Sequence, residues 1–172
     1  SPALAMGRPR SPLDLVSTTP LVAGIAIGFV TVAVVSDLRS RTVPDWTSVA
    51  LLLLAALAST IGWHEVGVAD AAIGLVLAFA LGAAGFYSGA FGGGDAKLLA
   101  ALGALVGATA LLELLLATAL AGGVVAWWAK RRGIDTIAYA PAIAVGYALT
   151  AAVQLCTPSR GALHALTGAS LW

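Results

Sequence analysis

The chain has 172 residues, of which 60% are hydrophobic and 10% charged, and its mean hydropathy is +0.98. A soluble domain of this length does not carry so much apolar surface. The apolar runs are continuous rather than alternating, which excludes a transmembrane β-barrel. The formal net charge is +1, and no segment is basic enough to form a nucleic-acid-binding domain. We therefore expect an all-α, polytopic membrane helix bundle with no nucleic-acid partner.

Polar and basic residues divide the apolar sequence into about six predicted transmembrane helices. Their expected limits are 21–36, 47–62, 71–87, 96–109, 111–128 and 141–155. The apolar region 96–129 fits either one long span or two shorter ones. Lys97 and the basic cluster that begins at Lys130 should both be cytoplasmic, which requires an even number of spans between them. We therefore predict two spans, joined by a tight turn near Thr109.

The distribution of Lys and Arg predicts the orientation of the bundle. The residues expected on the cytoplasmic side are Arg39, Arg41, Lys97, Lys130, Arg131 and Arg132. Those expected on the outer side are Arg8, Arg10 and Arg160. Six spans then put both termini outside. Residues 1–20 are expected to be an exposed lead-in or a remnant unrelated to the fold, 21–155 the membrane domain, and 156–172 an outer tail.

Two carboxylates stand out because charge is scarce. Asp37 follows the first predicted span, and Asp95 follows three consecutive glycines at the start of the fourth. The predicted topology puts both at the cytoplasmic ends of their helices. Two facing carboxylates do not both ionise readily, so one of them keeps a proton. The ionised one can take a proton from water as it attacks a peptide carbonyl, and the protonated one can donate to the carbonyl oxygen. The pair predicts aspartic-protease chemistry with no metal or cofactor.

The other charged residues have ordinary structural explanations. Asp45 and Asp70 are expected to cap the second and third helices, with a substrate contact as a second interpretation for Asp45. Lys97 is expected either to extend to the membrane surface or to tune the nearby carboxylate. Glu113 suits the first turn of a helix at the outer surface, and His64 an outer loop.

Three segments resemble the type IV prepilin peptidases. Residues 92–98 read Gly-Gly-Gly-Asp-Ala-Lys-Leu and match that family's GxGDxKL motif. Asp37, followed by basic residues and then Val43-Pro44, resembles the family's first catalytic Asp and the Ile-Pro-Asn after it. Residues 138–144 resemble the proline-containing entry to the family's last span. The segments occur in family order, and the similarity covers roughly residues 21–155.

The resemblance implies a membrane aspartyl endopeptidase that removes the leader peptide of type IV prepilins or prepilin-like proteins. Its catalytic pair would be Asp37 and Asp95. The residues that would support this pair are Gly92, Gly94, Lys97, Pro44 and Asp45. The substrate would have a basic leader and a hydrophobic helix, and would be cut at the cytoplasmic face. The enzyme would be a multi-pass protein of the inner (plasma) membrane, in contact with the lipid bilayer.

Two departures from the family pattern qualify this resemblance. Asp45 stands where the family usually has Asn, which leaves an amide-specific contact open. The larger bacterial members have an N-terminal cytoplasmic region with paired Cys-x-x-Cys motifs, used with a methyltransferase activity. The chain has a single cysteine. We therefore expect a short, peptidase-only form, as in tight-adherence pili or archaeal preflagellin systems, without methylation of the product.

Two other functions remain open from the sequence. Presenilins and signal peptide peptidases also use a Gly-x-Gly-Asp motif, but they are larger, carry a Tyr-Asp motif on the partner helix and cut inside the bilayer. A small ion-coupled transporter would use intramembrane carboxylates as ion sites, although both aspartates lie at the ends of predicted spans. A metal site built from Asp37, Asp45 and Asp95 would need further oxygen ligands.

Overall fold

The computed structural model describes residues 12–63, 65–89, 92–133 and 139–156, with side chains from Pro20 onward. The helices in these ranges are α1 (Pro12–Ser40), α2 (Asp45–Ile61), α3 (Val68–Tyr87), α4 (Gly93–Arg131) and α5 (Ala140–Cys156). The same ranges contain no strand, so the predicted all-α fold is confirmed. The expectations for His64, for the three outer arginines, for the first eleven residues and for the tail beyond Cys156 concern residues outside the described ranges.

Apolar surface dominates the outside of the bundle. Among the described residues, three helical stretches are long and apolar enough to cross a membrane: Pro20–Ser40 of α1, α3 and α4. The helices α2 and α5 are also apolar but shorter, at 17 residues each. Leu53, Val76 and Leu120 are 59%, 64% and 73% exposed on the outer faces of their helices. Extensive apolar surface of this kind fits contact with lipid.

The first helix extends beyond the predicted first span at both ends. Its buried stripe consists of Val22, Ala26, Val30 and Ala33. Asp37 is the next residue on that stripe, so the core-facing side of α1 ends in a carboxylate. The helix continues past the predicted end at Ser36 because Arg39, in its last turn, interacts favourably with the helix dipole.

Residues 41–44 turn the chain from α1 into α2. Arg41 has a φ of 54°, a left-handed conformation that ends helices and that residues other than glycine adopt infrequently. Its N–H donates to the carbonyl oxygen of Asp37 at 2.9 Å. The hydroxyl of Ser36 donates to the carbonyl oxygen of Thr42 at 3.0 Å. These bonds fix the turn to the last turn of α1, beside Asp37.

The helix α4 is interrupted at Gly107, whose φ of 76° and ψ of 169° are not helical. A straight helix would hold Asp95 and Gly122 about 40 Å apart. The ring of Tyr139 nevertheless covers Gly122, while the negative charge of Asp95 acts on the same tyrosine. The chain therefore reverses direction at Gly107.

We call residues 93–106 the first arm of α4 and residues 108–131 the second arm. The first arm is the central helix of the bundle, because almost every residue from Asp95 to Gly107 is buried. The predicted tight turn near Thr109 has its counterpart in the break at Gly107. The sequence therefore indicated correctly that this long apolar region is divided.

Among the described helices, the most extensive contact joins α3 to α4. At Gly74 and Gly103 the two backbones approach so closely that a Cβ atom on Gly74 would meet the carbonyl oxygen of Gly103. Ala78 lies over Gly103 one turn further along α3. Small residues at a helix crossing allow this approach, and they are the usual means of packing helices in lipid.

Both predicted helix caps are wrong. The N-cap of α2 is Pro44 and that of α3 is Gly67, so Asp45 and Asp70 each lie inside the first turn. The Oδ2 atom of Asp70 instead accepts a hydrogen bond from the hydroxyl of Thr109 at 3.3 Å, next to the break in α4. The carboxylate therefore ties the start of α3 to the reversal of α4.

Candidate active site: two buried carboxylates at one end of the bundle

Asp37 and Asp95 are 6% and 7% exposed, and they are the only buried charged side chains among the residues that the structure describes. Asp37 lies in the last turn of α1, and Asp95 in the first turn of α4. The two lie near enough for the negative charge of Asp37 to act on Asp95. The structure thus brings together the two carboxylates that the sequence singled out.

The glycines before Asp95 allow the helix to begin where it does. Gly92 is the N-cap of α4, and its N–H donates to Oδ2 of Asp95 at 3.2 Å. A Cβ atom on Gly92 would crowd the same oxygen at 3.2 Å, and one on Gly94 would stand 2.9 Å from the Cβ atom of Val43. Side chains at these positions would displace either Asp95 or the turn after α1.

The two oxygens of Asp95 have different surroundings. Oδ2 accepts the bond from Gly92, whereas Oδ1 is buried and has no hydrogen-bond partner in the described part of the chain. A buried polar atom left without a partner is uncommon and costly. The oxygen without a described partner belongs to a carboxylate on which the charge of a second buried carboxylate acts.

Asp37 is held by the start of α5. The backbone N–H of Ala140 donates to Oδ2 of Asp37 at 3.3 Å, within the buried part of the bundle. Pro141 follows in the first turn of α5, as predicted, and its lack of an N–H costs nothing there. The last helix of the described chain therefore begins directly against the first carboxylate.

Tyr139 is a residue of this site to which the sequence analysis gave no role. Burial, and to a smaller extent the negative charge of Asp95, raise the pKa of the Tyr139 phenol above its usual value. Its ring lies over Gly122 in the second arm of α4, where a Cβ atom would stand 2.7 Å from Cζ and closer still to the phenol oxygen. Tyr139 lies in the segment 138–144, which resembles the entry to the family's last span. Nothing in the neighbouring sequence indicated that its ring would contact Gly122.

Lys97 and Asp45 pair with one another at the edge of the site. The Nζ atom of Lys97 lies 2.8 Å from Oδ1 of Asp45, and the two side chains are 53% and 71% exposed. The lysine therefore faces Asp45, on α2. Pro44, the N-cap of α2, accepts hydrogen bonds from the N–H and the hydroxyl of Thr47 and thereby starts that helix.

The described residues around the pair include no cluster of metal ligands. Within the described ranges, no group of three or more His, Cys, Asp or Glu side chains is placed to hold a metal ion. An open groove of about 430 Å³ lies on the outer face of α1, lined by residues such as Val32, Val35 and Arg39. Asp37 does not line it, because that carboxylate lies on the opposite, buried stripe of the helix.

Comparison with known proteins identifies the family. The profile of the type IV leader peptidase family matches residues 24–127, more than half of the chain, and this range contains both aspartates. The chain belongs to the type IV leader peptidase family. A prepilin leader peptidase/N-methyltransferase of Pectobacterium carotovorum subsp. carotovorum is 37% identical to the chain over 133 residues. That alignment covers 71% of this chain and 47% of the relative, so the chain spans about half of the relative's length. No solved structure matches the chain.

Proposed function

We propose that this leader peptidase family member is a membrane aspartyl endopeptidase that removes the leader of type IV prepilins or prepilin-like proteins. The observation that carries the proposal is the meeting of two buried carboxylates, Asp37 and Asp95, one of which has an oxygen without a hydrogen-bond partner in the described chain. The family match and the name of the Pectobacterium relative support the choice of substrate.

The proposed mechanism uses the two carboxylates in opposite protonation states. The ionised aspartate removes a proton from a water molecule, whose oxygen forms a bond to the scissile carbonyl carbon. The protonated aspartate donates its proton to the carbonyl oxygen, which completes a tetrahedral intermediate. When this intermediate breaks its C–N bond, the leaving nitrogen takes a proton from the first aspartate. One hydroxyl of the intermediate returns its proton to the second aspartate as the carbonyl re-forms, and the pair returns to its starting state.

The proposed membrane arrangement has six spans: α1, α2, α3, the two arms of α4, and α5. Both termini lie outside, and the aspartate pair lies at the cytoplasmic end of the bundle in the inner membrane. Support comes from the common end that Asp37, Asp95 and Lys97 share, and from the basic residues Lys130 to Arg132 at the end of the second arm.

The proposed substrate has a basic leader in the cytoplasm and a hydrophobic helix in the bilayer. The scissile bond would lie between the two parts, which is the depth at which a carboxylate pair at the end of the bundle would meet it. The apolar outer faces of the bundle provide surfaces against which a substrate helix can lie in lipid.

The test is cleavage of co-expressed prepilins, followed by the gel shift that accompanies loss of the leader. Asp37→Asn and Asp95→Asn keep the shape of each side chain but remove its ability to cycle a proton. We expect each substitution to lower the cleavage rate by roughly 10²- to 10⁴-fold. The matched control is Glu113→Gln, which neutralises an exposed carboxylate on the second arm of α4 and should leave cleavage unchanged.

Two results would overturn the proposal. Normal cleavage by both Asn variants would exclude the paired-carboxylate mechanism. Absence of cleavage by the unaltered protein, with a panel of prepilins and with the protein present in the membrane, would exclude the substrate class.

A further inference from the structure

Tyr139 and the residue after it interact with both elements that carry the aspartate pair and with the second arm of α4. Its ring rests on the second arm of α4 at Gly122, and its phenol lies within the electrostatic influence of Asp95 on the first arm. The residue after it, Ala140, donates its N–H to Asp37 on α1. Tyr139 and Ala140 thereby link Asp37 and Asp95 to the second arm of α4, which carries neither aspartate.

The contact with Gly122 is specific to that glycine. A Cβ atom on Gly122 would meet the phenol oxygen of Tyr139, stand 2.7 Å from its Cζ and 3.2 Å from its Cε2. The next residue, Gly123, has no atom of the described residues within 4 Å of the same added atom. The missing side chain of Gly122 therefore leaves a slot, which we call the Gly122 slot, and the ring of Tyr139 fills it.

We propose that Tyr139, seated in the Gly122 slot, is a positioning residue for the aspartate pair, and that it acts by holding the N–H of Ala140 against Asp37. This inference rests on the proposed peptidase function for its catalytic consequence. The ring sets the position of the peptide between residues 139 and 140, and the N–H of that peptide sets the orientation of the carboxylate.

The physical reason is that a carboxylate must be oriented to act as an acid or a base. Asp37 lies at the end of a helix, and its described hydrogen bond to the N–H of Ala140 comes from a distant part of the chain. A reacting group is productive only when neighbouring side chains hold its geometry, and a displacement of about 1 Å can lower a rate about 10²-fold. A side chain at position 122 would push the ring, and with it the peptide, away from Asp37.

The experiment compares two glycine variants that differ by one position. Gly122→Ala should lower kcat for prepilin cleavage about 10- to 100-fold with little change in KM, because only the orientation of the carboxylate changes. Gly123→Ala should leave both constants unchanged. Tyr139→Phe keeps the ring and is measured alone as the reference for the double variant. Adding Tyr139→Phe to Gly122→Ala removes the atom nearest the new methyl group and should restore part of kcat.

A second measurement does not depend on activity. Hydrogen exchange, followed by mass spectrometry on the peptide that contains Ala140, reports whether its N–H is still bonded. We expect faster exchange in Gly122→Ala than in the unaltered protein or in Gly123→Ala. A merely structural role of Gly122 would instead raise exchange over the whole second arm and lower the amount of folded protein.

The outcomes separate the two proposals. Equal exchange at Ala140 in Gly122→Ala and Gly123→Ala overturns the positioning role, whatever the activity. So does an equal kcat in these two variants, or a double variant with no more activity than Gly122→Ala. If exchange responds as expected but the unaltered protein cuts no prepilin, the contact stands and the proposed peptidase function is the part that fails.

Discussion

The backbone N–H of Ala140 donates to Oδ2 of Asp37 at 3.3 Å, although the two residues are 103 positions apart in the chain. Both groups are buried, so neither can exchange its partner for water without opening the bundle. Through this bond, Asp37 contributes to the stability of the fold, and this contribution is separate from any catalytic role of its carboxylate.

This separation is testable by changing Asp37 in two ways. Asp37→Asn keeps an oxygen that can accept the Ala140 N–H, whereas Asp37→Leu leaves that donor buried without a partner. We expect the Leu variant to be less stable than the Asn variant by about 1–3 kcal/mol. Thermal unfolding of both proteins in the same detergent measures the difference. Equal stability would mean that the bond contributes nothing to the fold.

The break at Gly107 predicts a second result. Its φ of 76° and ψ of 169° belong to a region that residues with a side chain hardly adopt, and a Cβ atom there would also meet the carboxylate of Asp70. Gly107→Ala should therefore lower the free energy of unfolding by about 1–3 kcal/mol. Gly123→Ala, which adds the same methyl group in open space, is the control for unfolding in detergent. A Gly107→Ala protein as stable as this control would contradict the reversal.

The close crossing of α3 and α4 leads to a third prediction, on the stability of the bundle. Gly74→Ala would drive a methyl group into the backbone of Gly103, and overpacking of this kind costs about 1–3 kcal/mol. Gly28→Ala, on the exposed face of α1 with no described atom within 4 Å of the added methyl group, should be neutral or slightly stabilising. Their melting temperatures in detergent provide the comparison. A Gly74→Ala protein that melts with the Gly28→Ala protein would show that the helices can separate there without cost.

The ion pair at the edge of the site predicts a small effect. Both partners, Lys97 and Asp45, are more than half exposed, and exposed pairs contribute less than about 1 kcal/mol. We expect Lys97→Gln to change stability by no more than this and to cut prepilin within about threefold of the normal rate, since RT ln 3 is itself below 1 kcal/mol. The measurement is the rate of prepilin cleavage by Lys97→Gln and Lys97→Arg, compared with that by Asp95→Asn. If Lys97→Gln were as inactive as Asp95→Asn, the lysine would act on the chemistry rather than on Asp45.

The sequence predicted the features that depend on single residues in an apolar background. Asp37 and Asp95 stood out because carboxylates are rare in the chain, and the division of the long apolar region followed from the basic residues on either side of it. The all-α fold followed from composition alone. Each of these inferences needs only the chemistry of a residue and its position relative to a span.

The sequence failed where a side chain had a choice of partners. Asp45 and Asp70 have the composition of helix caps, but Asp45 pairs with Lys97 and Asp70 binds Thr109. Both partners come from a different helix, so local propensity was overridden by tertiary contacts. The end of α1 was placed too early for a related reason, since charged residues in a last turn continue a helix as readily as they end it.

The contact between Tyr139 and Gly122 could not be predicted at all. In the sequence, Gly122 and Gly123 are equivalent neighbours in a run of small residues, and only the packing of the second arm distinguishes them. Which residues of a helix face the bundle depends on the rotation of the helix about its axis, and the sequence of the second arm does not reveal that rotation.

The rotation of the second arm about its axis determines which sequence changes the arm can accept. About four helical turns separate the break at Gly107 from Gly122, and one inserted or deleted residue in this stretch would rotate everything after it by about 100°. The ring of Tyr139 would then face a residue other than Gly122, although no residue of the helix had been substituted. The stretch between these two glycines should accordingly accept many substitutions but no change in its length.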